Sequence, residues 1–129
     1  MPPVRKLIAV IDDEACIRKA LDRQLRAAGF RCELFSSAEE FLRVASALHA
    51  DCIVSDINLG GISGLELAVH PTVVSLNVPT VLITGRHDAL LEEPAHVVAA
   101  ALLHKPIPPG KLLEAIIEAV GPPLVDVDG

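Results

Sequence analysis

Asp56 closes an apolar run, Cys52-Ile53-Val54-Ser55, and heads the segment Ile57-Asn58-Leu59-Gly60-Gly61. A second run, Leu7-Ile8-Ala9-Val10-Ile11, also ends in acid, the pair Asp12-Asp13. Val81-Leu82-Ile83 ends in Thr84-Gly85, and Ala101-Leu102-Leu103-His104 ends in Lys105-Pro106. Four candidate buried strands therefore finish in carboxylate, carboxylate, hydroxyl and ammonium. In a parallel sheet these ends share one edge, so the four groups converge. Three carboxylates that close repel one another unless a cation joins them. Mg²⁺ suits such hard oxygen ligands, and it keeps several waters that a phosphate can displace.

The residue types then suggest roles. Asp13 and Asp56 would ligate the ion directly, Asp12 through water, and the backbone carbonyl of Asn58 would add a further oxygen. Asp56, single and central, is the best nucleophile toward a phosphoryl group whose charge the cation offsets. Lys105 would pair with one phosphoryl oxygen and the Thr84 hydroxyl with another, since this chemistry needs placement and electrostatics above all. A cis Lys105-Pro106 bond would aim the ammonium inward. Taken singly, Asp12-Asp13 and Thr84 read as turn residues and Lys105 as a surface lysine. Four strand ends together read as a site.

Alternating helical and strand patterns must hold these groups in place, the mark of a βαβ series. Ile17, Ala20, Leu21, Gln24, Leu25 and Ala28 repeat at helical spacing, and Gly29 stops that helix. Arg31 to Phe35 is a short second strand. Ser37 with Glu40 offers a capping box to a helix carrying Phe41, Leu42, Ala45 and Leu48. Asp51 to Ser55 is the third strand. Ser63 with Glu66 repeats the capping pattern, and Pro71 should shorten or kink the helix that follows. Asn77-Val78-Pro79 turns into a strand over Thr80 to Thr84. Pro94 is expected at the first position of a short helix, with Asp88 to Glu93 as loop. After the Ala101–His104 strand, Pro108-Pro109 starts a last helix with Leu112, Leu113, Ile116, Ile117 and Val120 inward, and Gly121-Pro122-Pro123 ends it. The expected fold is α/β, a doubly wound five-stranded parallel sheet flanked by helices, taken in the order 2-1-3-4-5 known for doubly wound folds and not fixed by the residue pattern itself. Its strand order reverses between the first and third strands, where Asp12-Asp13 and Asp56 sit.

Composition agrees. The 129 residues are 51% hydrophobic but only 2% aromatic, which suits a Leu/Ile/Val/Ala core around buried parallel strands. A net charge of −6 argues against a nucleic-acid surface. No apolar run reaches the length of a membrane span, and the N-terminus lacks a signal-peptide pattern, so a cytoplasmic location is expected. Cys16, Cys32 and Cys52, odd in number, read as reduced thiols. His49, His70, His87, His96 and His104 are scattered without metal-ligand spacing, and Arg86 and Asn58 flank the expected site.

These pieces carry a family resemblance across nearly the whole chain. Val10-Ile11-Asp12-Asp13-Glu14, Val54-Ser55-Asp56-Ile57-Asn58-Leu59, Ser63-Gly64-Leu65-Glu66-Leu67, Val81-Leu82-Ile83-Thr84-Gly85 and Lys105-Pro106, in that order, resemble a receiver domain of two-component response regulators. The resemblance implies a CheY-like (flavodoxin-like) domain over residues 1–121, with 122–129 a tail or the start of a linker. It implies Mg²⁺-dependent transfer of phosphate from a sensor histidine kinase or phosphotransfer protein onto Asp56. Asp12 and Asp13 would be the metal pair, Thr84 the switch hydroxyl and Lys105 the paired lysine. A downstream protein target is expected, a homodimer is possible, and no direct contact with nucleic acid or membrane is expected.

The chain departs from the family pattern in places. Leu102 stands where an aromatic switch residue is usual, Gly60 replaces a proline and should loosen its loop, and Ala99-Ala100 replaces Gly-Ala before the last strand. Two alternatives follow: a phosphorylation-independent interaction module, or a receiver cut from a longer transcriptional regulator or hybrid kinase. An aspartyl-phosphate hydrolase would want a second acid two residues after the nucleophile, where Asn58 stands.

Overall fold

Strands buried on both faces are apolar along most of their length, and Leu7–Ile11, Cys52–Asp56 and Thr80–Thr84 are buried at every position, whereas Ala101–His104 at the sheet edge is only partly buried. The computed structural model describes residues 4–85 and 89–125; Arg86, His87 and the start of the expected 88–93 loop lie outside these. In chain order the elements are β1 (Val4–Arg5), β2 (Leu7–Ile11), α1 (Ala15–Ala27), β3 (Arg31–Phe35), α2 (Ala38–Leu48), β4 (Cys52–Asp56), α3 (Gly64–Ala68), α4 (Pro71–Leu76), β5 (Thr80–Thr84), α5 (Ala89–Val98), β6 (Ala101–His104), α6 (Lys111–Val120) and β7 (Leu124–Val125). The main sheet is parallel with order β3-β2-β4-β5-β6. Leaving out the two-residue β1, this is the expected 2-1-3-4-5.

Strand alternation divides the core. Ile8, Val10, Val54, Val81 and Ile83 pack with Leu21 and Leu25 of α1 and Leu112, Ala115 and Ile116 of α6. Ala9, Ile11 and Ile53 face the other way, toward Phe41, Ala45, Leu67 and Val73. There Phe35 meets Phe41 edge to face, ring centroids 5.4 Å apart. A small third cluster, Ile57, Leu82 and Ala95, lies beneath α5 with Leu65, Ala99 and Leu102 against it.

Local signals behave as their chemistry demands, with instructive exceptions. Ser63 and Glu66 form the reciprocal capping box. At α2 only half of one forms: Ser37 Oγ accepts from Glu40 N at 3.1 Å, while the Glu40 carboxylate reaches one residue further, to Ser36 N and Oγ. Gly29 (φ 102°) ends α1 in a left-handed conformation costly for other residues. Pro71 ends one helix by beginning another, at the first turn of α4, where His70 Nδ1 accepts from Thr72 N at 3.2 Å.

Several expectations need correcting. Pro94 does not open a helix; α5 already runs from Ala89 and passes through it. Pro94 is exposed, whereas buried Ala95 anchors the helix on Ile57 and Leu82, so packing overrides the missing donor. α6 begins at Lys111, after the left-handed Gly110, and Ile117 is 43% exposed instead of inward. One step of about 100° past Ile116 carries it off the buried stripe. Ala20 is exposed for the same reason, beside buried Leu21. The third sheet strand runs Cys52–Asp56, one residue later than expected.

Nothing in the residue pattern hints at the β1–β7 pair, an antiparallel ribbon with Val4 opposite Val125 and Arg5 opposite Leu124. Residues 124–125 of the expected tail thus fold back along the start of the chain. Lys6 N donates to Pro123 O at 2.7 Å, and its ammonium caps the carbonyl of Val120 at the end of α6.

Candidate functional site

Register brings the chemical groups to one edge. Ile11 pairs with Ser55, Asp56 with Ile83, and Thr84 with His104, so Asp12, Asp56, Thr84 and Lys105 all lie where their strands end. Asp12 leaves β2 with its N–H on Phe35 O at 3.1 Å and its carbonyl held by Arg18 Nη1 at 2.7 Å. The residue is 1% exposed. Oδ1 accepts from Glu14 N at 2.9 Å, and Oδ2 is buried with no hydrogen-bond partner. Burial raises the Asp12 pKa; the Glu14 N–H opposes that rise, and the negative charge of Asp56 reinforces it.

Asp56, 5% exposed, is committed on both oxygens. Oδ1 accepts from Asn58 N at 2.9 Å, and Oδ2 takes Lys105 Nζ at 2.5 Å. Partial burial works against the Lys105 charge, but the Asp56 hydrogen bond and the attraction of Asp56, Asp12 and Glu14 outweigh it and raise its pKa. The Lys105-Pro106 bond is cis, as expected, and Lys105 N donates to Thr84 O at 2.8 Å. Thr84 is fully buried, its hydroxyl donating to Gly85 O at 3.3 Å.

Among the described residues, Asp12, Asp13 and Glu14 form a group with carboxylate oxygens within 4.8 Å of one another, Asp13 and Glu14 exposed; Asp56 is not part of that group. Glu14 was not among the ligands expected from the sequence; its place directly after the acid pair was the available signal. Arg18, which steadies Asp12 from one helical turn on, had no such signal. Gly64 is also part of the construction. A side chain there would collide with the carbonyl of Asp56, so α3 starts directly against the end of β4.

A model of the response regulator receiver domain matches residues 8–117. The chain belongs to that family.

This receiver domain is 34% identical over 114 residues to the transcriptional regulatory protein FixJ of Bradyrhizobium diazoefficiens, covering 88% of the chain and 56% of FixJ. Among solved structures it resembles FixJ-N, with TM-score 0.81 and 30% identity, covering 89% of the chain and 93% of that one. The response regulator StyR gives TM-score 0.80 and 32% identity over 91% of the chain and 60% of that one. The chain thus spans about half the length of the curated relatives it matches. It is a receiver domain of two-component response regulators, and no helix among the described residues is long and apolar enough to cross a membrane. Leu102, which departs from the aromatic usual at its position in the resemblance, is half-buried against the Ile57–Leu82–Ala95 cluster of this receiver.

Proposed function

We propose that Asp56 accepts a phosphoryl group from a phosphohistidine of a sensor histidine kinase or phosphotransfer protein, with Mg²⁺ as cofactor. The observation that carries this is the pairing of a nearly buried, Lys105-bound Asp56 with the unpartnered buried oxygen of Asp12 one strand away. Asp12, Asp13, Glu14 and Asp56 bring four carboxylates against the Lys105 ammonium and the Arg18 guanidinium, so an incoming phosphoryl group would add to a field with excess negative charge. The donors are all hard oxygens, and the Asp12 oxygen has no other partner; both features fit a hard divalent cation. Asp12, Asp13, Asp56 and the Asn58 carbonyl would hold it, with Glu14 adjacent. Bound there, Mg²⁺ would neutralise charge on the transferring phosphoryl oxygens.

The protein's own part is placement. A carboxylate oxygen of Asp56 attacks phosphorus, the P–N bond to imidazole breaks, and the electron pair leaves on the ring nitrogen. Lys105 moves from Asp56 to a phosphoryl oxygen, and Thr84 offers its hydroxyl to another. The added charge then reorganises the surroundings of Thr84 and β6 and alters binding to a downstream protein or a second copy. The net charge of −6 supports a protein target for this domain rather than nucleic acid, and a cytoplasmic setting accords with a kinase partner and reduced thiols.

Incubation with Mg²⁺ and acetyl phosphate is expected to add one phosphate by intact mass, and Asp56→Asn to add none. Uptake that persists in Asp56→Asn overturns the assignment. The aliphatic Leu102 motivates a second reading, an interaction module indifferent to phosphate. Partner affinity unchanged by phosphorylation would favour it.

A further inference from the structure

The loop after Asp56 carries the Asn58 carbonyl, and Gly60-Gly61 in its middle would be expected to loosen it. Its two ends are held locally. Asn58 N is bound to Asp56 Oδ1, Gly64 N donates to Ile57 O at 3.0 Å, and Ser63 belongs to the α3 capping box. Its middle is held from another element. Glu39, in the first turn of α2, accepts from Ile62 N through Oε1 at 3.2 Å. Its other oxygen lies against Gly61 so closely that a Cβ on that residue would overlap it. The half-buried Leu59 and Ile62 pack on the same side, against the cluster containing Phe41 and Leu67. Glu39 is not consumed by its own helix cap, because Ser37 takes Glu40 N and Glu40 turns to Ser36.

We infer that Glu39 is a positioning residue: it latches the Gly60-Gly61 segment from α2 and so sets where the Asn58 carbonyl meets the divalent ion. The claim rests on the proposed metal site, though the latch itself does not. A Cβ at Gly60 would have no neighbouring atom within 4 Å, and Gly60 is not in the left-handed region, so between the packed Leu59 and Ile62 the backbone at Gly60 has no steric restraint of its own. An orderly backbone needs one from outside. The carboxylate supplies it through a charge-assisted bond, stronger than a neutral one. Gly61 lets the carboxylate come that close, and a Cβ there would push the Glu39 side chain aside.

The test compares the full chain with Glu39→Ala, Glu39→Gln, Gly61→Ala and the pair Glu39→Ala/Gly60→Ala. Two readouts are used: amide hydrogen exchange at Ile62, and Mg²⁺ affinity by calorimetry with the metal alone. Glu39→Ala is expected to speed Ile62 exchange and weaken Mg²⁺ about tenfold, the low end of the scale for one charge-assisted bond. Gly61→Ala should behave alike. Glu39→Gln, which still accepts from Ile62 N, should keep most of the affinity. Gly60→Ala should restore part of it by narrowing the loop's freedom. Unchanged Ile62 exchange in Glu39→Ala overturns the latch. Faster exchange with Mg²⁺ affinity within twofold of wild type overturns the positioning role and leaves Glu39 merely structural. Absence of phosphate uptake by the wild type would instead count against Asp56 as acceptor, and both readouts here stand without it.

Discussion

The two edges of the sheet use the same residue types to opposite ends. At the amino edge, Asp51 and Lys6 are spent on the backbone. Asp51 Oδ2 accepts from Leu7 N at 2.8 Å, Asp51 N donates to Leu7 O at 2.8 Å, and the Lys6 ammonium caps the Val120 carbonyl. At the carboxyl edge, Asp12, Asp56 and Lys105 face one another across strands. One Asp12 oxygen there is buried without a hydrogen-bond partner. A polar group paired with a nearby N–H or C=O stabilises its element; a buried carboxylate without a partner costs stability and persists where it serves another purpose. Acids at one end tie the fold, and acids at the other lie together with one buried oxygen left without a hydrogen-bond partner.

That contrast can be broken most forcefully at Asp12. Asp12→Asn is expected to cut Mg²⁺-dependent phosphate uptake by about 100-fold, the upper scale for disturbing a metal's coordination. It should also raise the melting temperature in chelator, since it removes a buried charge. The sign follows from the raised pKa. Below the ordinary 3.8 Asp12 is protonated both folded and unfolded, and it costs nothing. As pH rises from 3.8 to the higher folded value the unfolded chain ionises first, so the destabilisation grows, and it stays constant above. Melting curves of both proteins from about pH 3 to pH 7 should therefore meet at the acid end and separate toward neutrality. Curves that run parallel would contradict it.

Asp51→Ala should do the reverse. It strands the N–H of buried Leu7 and is expected to lower stability by about 1–3 kcal/mol in urea unfolding. Phosphate uptake at temperatures where the variant is folded should not change. A loss of uptake without a loss of stability would erase the distinction between the edges.

The smallest effect concerns the thiols, which sharpen the same picture of a dry interior. Cys32 and Cys52 are buried, and burial pushes both up to about 12, whereas Cys16 is exposed beside the acid cluster. A water-soluble maleimide at neutral pH should label Cys16 alone, with the other two reacting only on unfolding. Native labelling of Cys52 would show that the sheet interior opens.

Much of this was legible in residue order. Strand runs, both Ser-x-x-Glu starts, Gly29 as a stop and Pro71 as a break are short-range signals, and short-range geometry honours them. The signals that failed are those whose outcome depends on a neighbour outside their own few residues. Pro94 reads as a helix opener until Ala95 is packed on Ile57. The Ser37–Glu40 box is the exception, undone locally by the adjacent Ser36, which offers the Glu40 carboxylate two donors. The Val4–Arg5 and Leu124–Val125 ribbon is too short to leave a period at all.

Sequence alone determined that four buried strands end in two acids, a hydroxyl and an ammonium, because apolar runs and turn residues act within a few positions of themselves. Tertiary structure decided which oxygen Lys105 takes, which oxygen of Asp12 goes unpaired, and that Glu39 rather than Glu40 crosses to the loop after Asp56. Those outcomes turn on desolvation and on distances of a few ångströms between elements, quantities that exist only once the sheet and its helices have come together.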